Sequence, residues 1–121
     1  MSAGKKAAAP ADKVELYEKL IATNPRIERK GAANPYTSLN GNMFSYLHPS
    51  GSMALRLPEG EREEFLKKYR STLFEAYGIV QKEYVKVPDD LLRNTKELRK
   101  YFDASYRYAQ AMRPKPTKKE R

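Results

Sequence analysis

The chain has 121 residues and no cysteine, with 24 lysines and arginines against 15 aspartates and glutamates, a formal charge of +9 and a pI near 9.7. This describes one domain with polar ends, and it excludes a disulfide scaffold, thiolate metal sites and a thiol nucleophile. The charge is uneven: residues 1–13 carry +2, residues 113–121 carry +4, and the body between them +3.

Residues 1–11 hold little that can pack and read as a disordered basic tail, without the apolar stretch of a secretory signal. Asp12 followed by Glu15 forms a capping-box pattern, with Asp in place of the usual hydroxyl. The helix it opens sets Val14, Leu16, Tyr17, Leu20 and Ile21 along one flank, and Asn24-Pro25 stops it. Arg26 to Lys30 reads as a short exposed edge strand whose charges discourage further pairing. Gly31, Asn34-Pro35 and Asn40-Gly41-Asn42 are loop chemistry.

Met43 to Leu57 spells a β-hairpin. Met53, Leu55 and Leu57 fall on one side of a pleat, Ala54 and Arg56 on the other, and His48-Pro49-Ser50-Gly51 makes the break. The longest run without formal charge, Gly31 to Leu55, could span a bilayer by length alone. Its two prolines, three glycines, Asn34, Asn40, Asn42 and His48 argue for a soluble segment instead.

Pro58 begins a second helix, acidic at its start (Glu59, Glu61, Glu63, Glu64) and basic at its end (Lys67, Lys68, Arg70), as the helix dipole favours. Phe65, Leu66 and Tyr69 are its core side; Leu73, Phe74 and Tyr77 anchor the connection that follows, and Gly78 marks a turn. Ile79 to Val87 reads as a strand. Pro88-Asp89-Asp90 starts a short helix pinned by Leu91 and Leu92. Asn94, with Glu97 three residues on, caps a last helix whose stripe is Leu98, Tyr101, Phe102, Ser105, Ala109 and Met112, and Pro114 ends it. The expected fold is α+β, helices laid over a curved antiparallel sheet, with a domain over residues 12–113 and a basic tail over 114–121.

The segment from Met43-Phe44 to the last helix resembles the N-terminal domain of the TfoX/Sxy competence regulators. The residues that carry the likeness are Met43-Phe44, Gly51, Met53-Ala54-Leu55, Tyr84 through Val87-Pro88, Leu91-Leu92 and Leu98, across about 70 residues of the chain. The family follows Met-Phe with glycines, where this chain has Ser45 and Tyr46. The resemblance implies an α-β(3)-α-β(2)-α order, no catalytic residues, and bacterial, cytoplasmic, regulatory associations.

The residues themselves offer little chemistry. His48 is the one histidine and sits in a turn, and the acidic residues cluster at helix starts, where they have a structural reason. The glycines do not assemble into a phosphate loop. No catalytic, metal or cofactor site is expected. Tyr17, Tyr69, Tyr84 and Tyr101 occur at core-facing spacings; Tyr106 and Tyr108 lie near Arg107 and Arg113, where they stack bases or complete a broad helix face.

Lys96, Arg99, Lys100 and Arg107 recur at helical spacing, and Arg113, Lys115, Lys118, Lys119 and Arg121 extend them into the tail; Asp103 is placed to pair with Arg99 and Arg107. Two functions follow. The first is a non-enzymatic regulatory or adaptor domain binding a protein partner. The second is a weak, sequence-independent nucleic-acid binder using the basic stripe and tail.

Overall fold

A computed structural model describes residues 9–32 and 34–114. Four helices and five strands follow in the order α1 (Ala11–Ile21), β1 (Tyr36–Leu39), β2 (Asn42–Leu47), β3 (Met53–Arg56), α2 (Glu59–Tyr69), β4 (Leu73–Ala76), β5 (Ile79–Val87), α3 (Asp89–Leu92) and α4 (Thr95–Ala111). The strands form one antiparallel sheet in the order β1-β2-β3-β5-β4. The fold is α+β, an antiparallel sheet flanked by helices, as its residue pattern predicts.

One core joins the sheet to the helices. Met53, Leu55 and Leu57 are fully buried and pack with Tyr17 and Leu20 of α1, Phe65 of α2, and Leu98 and Phe102 of α4. The stripe read along α4 is buried from Leu98 to Ala109, and Asn94 Oδ1 accepts from the Glu97 backbone N–H at 3.2 Å. Buried among these apolar groups, the Ser45 hydroxyl lies 2.6 Å from both the Tyr17 and the Thr37 hydroxyls.

The chain differs from the sequence reading at four places. The described end of the expected N-terminal tail, Ala9 to Ala11, is structured: Pro10 occupies the cap of α1 and its carbonyl accepts from Lys13 and Val14. Asp12 therefore stands inside the first turn and makes no side-chain cap, because the helix begins one residue before it. Arg26–Lys30 is not a strand beyond a single bridge from Lys30 to Tyr36. The edge strand is β1, turned into β2 by Asn40 and Gly41, both at positive φ (53° and 82°), a two-residue hairpin connection. Finally, Leu73–Ala76 is a strand rather than a connection, joined to β5 by a second such turn at Tyr77-Gly78 (φ 54° and 77°).

Two irregularities shape the sheet. Thr37 pairs with Ser45 but Ser38 pairs with Met43, so Phe44 is an extra residue on β2, and both Phe44 and Ser45 are buried. On β5 the break is larger: Leu73 pairs with Val85 and Phe74 with Gln81, leaving Lys82, Glu83 and Tyr84 unopposed on β4. That corner folds the β4–β5 ribbon back over the second face of the sheet. There Phe74 meets Tyr46 at 5.5 Å between ring centroids and buries Ala54 completely. Arg56 and Glu83 pair at 2.7 Å beside the corner.

Candidate functional site

The returning ribbon leaves a cleft of about 360 Å³ between its tip and the opposite end of the sheet. Its lining comes from Asn34, Pro35 and Tyr36 at the start of β1, Met43, Tyr46 and Leu47 of β2, the His48-Pro49 turn, and Ala76, Tyr77 and Gln81 of the ribbon. Each part has a local cause. Gly31 (φ 82°) turns the chain so tightly that a Cβ there would meet the Asn34 carbonyl at 2.3 Å, and the bridge from Lys30 to Tyr36 follows. The Tyr46 hydroxyl donates to Gln81 Oε1 at 2.5 Å, holding the ribbon onto β2. The backbone N–H of Ser50 donates to His48 Nδ1 at 3.0 Å, which leaves the ring's second nitrogen to carry the proton of the neutral form. The imidazole lies 5.7 Å from both the Phe74 and Tyr77 rings.

No residue lining this cleft carries a formal charge at neutral pH with His48 neutral, although 32% of the chain is Asp, Glu, Lys or Arg. Burial first of all raises the Tyr46 hydroxyl pKa, so that hydroxyl stays a donor. Tyr77, read from sequence as an anchor, is instead 86% exposed, with Ile79 (66%) and Val80 (48%) beside it in sequence. The charge-free run Gly31–Leu55 supplies eight of the eleven lining residues, but nothing within it points to Ala76, Tyr77 or Gln81, which complete the cleft.

The basic stripe is assembled only in part. Lys96, Arg99, Lys100 and Arg107 are all exposed on α4. Arg99 pairs with Asp103 at 3.8 Å and Lys100 with Glu97 at 3.5 Å, while Arg107 makes no ion pair with Asp103. Arg113 is exposed, and its backbone carbonyl accepts from Asn42 Nδ2 at 3.0 Å. Lys115, Lys118, Lys119 and Arg121 lie outside the described residues.

A polar groove of about 460 Å³ beside α4 brings Arg26, after α1, together with Arg99 and Arg107. Arg26 is distant from the stripe in sequence, on a segment whose pattern suggests an edge strand, so only the fold brings it to Arg99 and Arg107. Tyr106 is half-buried against Phe44 at 5.9 Å, and the Tyr108 hydroxyl donates to Glu83 Oε2 at 3.0 Å, so both rings serve the helix face.

Among the described residues no group of three His, Asp or Glu side chains is placed to hold a metal ion, and no helix is long and apolar enough to cross a membrane. Comparison with protein-family models, curated proteins and solved structures finds no match to this chain.

Proposed function

We propose that this is a non-enzymatic protein-binding domain, regulatory and cytoplasmic in setting, whose contact surface is the uncharged cleft together with the Tyr77-Gly78 tip. Its occupant is an apolar, uncharged segment of a partner protein. Tyr77 carries the reading. The first position of a two-residue hairpin turn of this type is ordinarily Asn, Asp or Gly, because a left-handed conformation costs other residues roughly 1–2 kcal/mol. Here that position holds a large ring at φ 54° with most of its surface in water. Folding gains little from such a ring, whereas a partner gains an apolar anchor beside an uncharged cleft. The resemblance to the TfoX N-terminal domain supports the regulatory setting.

Selection from a random peptide display library on the immobilised full chain tests this. The expected peptides are enriched, depend on Tyr77, and shift the backbone amide signals of Tyr36, Tyr46 and Tyr77. Failure to enrich any sequence, or shifts confined to α4, would overturn it.

A second reading has its own observation, the meeting of Arg26 with Arg99 and Arg107. Nucleic acid would lie along α4 with its phosphates on these arginines. If about four or five phosphates are neutralised with the help of the tail, log affinity for duplex DNA falls with log salt at a slope near −4. Arg26→Gln with Arg107→Gln would flatten that slope by about 2. An unchanged slope removes the groove from this reading.

A further inference from the structure

We infer that the segment taken by the cleft is proline-rich and adopts the polyproline II conformation; this rests on the protein-binding reading above. The geometry disfavours the other common ways of seating a peptide. Adding a strand requires an open sheet edge; β2, which runs through the cleft, is paired on both sides by β1 and β3, and β4, whose outer edge is open, offers only the four residues Leu73–Ala76. At Tyr36, the β1 residue that lines the cleft, the outer edge is taken by Lys30 through backbone bonds of 2.9 and 3.0 Å. Seating a helix requires a row of apolar sockets spaced over two turns, and 360 Å³ is near the lower end of binding-site volumes.

What remains is a narrow ligand that brings its own conformation. The lining suits it. The three tyrosines, His48 and Pro49 offer flat ring surfaces against which pyrrolidine rings pack. Among the described residues the Tyr36 and Tyr77 hydroxyls have no hydrogen-bond partner, and Gln81 accepts from Tyr46 through its oxygen while its amide nitrogen remains free to donate. Proline has no N–H, and its carbonyls project unpaired from the polyproline helix, so a proline segment needs donors and no acceptors. The cleft supplies donors. Absence of charge in the lining adds that the seated residues are uncharged.

The test uses the full chain and three synthetic decamers, acetylated and amidated: all-proline, alternating glycine–serine, and alternating valine–threonine. Backbone amide shifts locate binding and titration gives affinity. The proline decamer is expected to move Tyr36, Tyr46 and Tyr77, with the glycine–serine decamer roughly tenfold weaker because it must be ordered on binding. Tyr36→Phe, which removes only a hydroxyl, and Tyr77→Asn, at an exposed turn, should each weaken proline binding several-fold while circular dichroism stays unchanged.

A proline decamer that leaves the cleft signals unmoved overturns the inference. So does a valine–threonine decamer that binds there as tightly. If library-selected, proline-free peptides still occupy the cleft, the protein-binding reading survives; if no peptide does, both fall.

Discussion

The Tyr77 ring lies 5.7 Å from the His48 imidazole, inclined at 47°, so the tip of the β4–β5 hairpin meets the turn between β2 and β3. In a flat sheet these ends would be far apart, since β3 and β5 lie between β2 and β4. The corner at Lys82–Tyr84 brings them together, and the cleft exists because of it.

Replacing Tyr77 by Asn separates folding from binding. The turn keeps its geometry and loses the strain of a bulky left-handed residue, against which the contact with His48 weighs little. Thermal unfolding should show stability unchanged or raised by about 1 kcal/mol, with peptide binding lost. A clear fall in midpoint would mean that the ring holds the fold together.

Phe74 is nearly buried under the ribbon, against Tyr46 and His48. Truncation to Ala removes the ring that covers Ala54 and should cost about 3 kcal/mol in urea unfolding. The loss should also release the ribbon, seen as faster hydrogen exchange at Gln81 than at Val85, which stays in the central ladder with β3.

Ser45 connects the Tyr17 and Thr37 hydroxyls inside the core. Ser45→Ala leaves both without that partner and should cost about 1–3 kcal/mol. Adding Tyr17→Phe removes one of the stranded groups, so the double variant should be less destabilised than the two single losses combined.

Glu97 accepts from the Tyr69 hydroxyl at 2.5 Å and from Lys68 Nζ at 3.3 Å, with Lys100 close by. The Tyr69 bond first, then Lys68, pull its pKa from about 4.5 down to about 2. Because the folded value is the lower one, the stabilisation is present above the ordinary carboxylate range and disappears as pH falls from about 4.5 to about 2. Thermal midpoints across that interval should fall less steeply in Glu97→Gln than in the parent chain.

Much of the fold was legible because its signals are local. The alternation of Met53, Leu55 and Leu57, the three-and-four spacing from Leu98 to Ala109, and the Asn94 cap each follow from a few adjacent residues. The edge strand is β1 and not Arg26–Lys30 because Asn40-Gly41 closes a two-residue hairpin that sets β1 against β2, whereas Arg26–Lys30 has no such turn and makes only the bridge at Lys30. β4 was hidden by its length of four residues and by Tyr77 in a position where Asn is usual. The cleft was least legible. It depends on three unopposed residues in one strand carrying Ala76 and Tyr77 to Tyr36 and Tyr46, and no sequence window contains that relationship.

Fluorine NMR of the full chain with all nine tyrosines replaced by 3-fluorotyrosine tests the cleft most directly, because tyrosines report both candidate surfaces. With a library-selected peptide at saturation, the resonances of Tyr36, Tyr46 and Tyr77 should move while those of Tyr17 and Tyr101 stay in place. Movement of Tyr106 and Tyr108 with the three cleft tyrosines unchanged would contradict the account and shift the binding surface to α4.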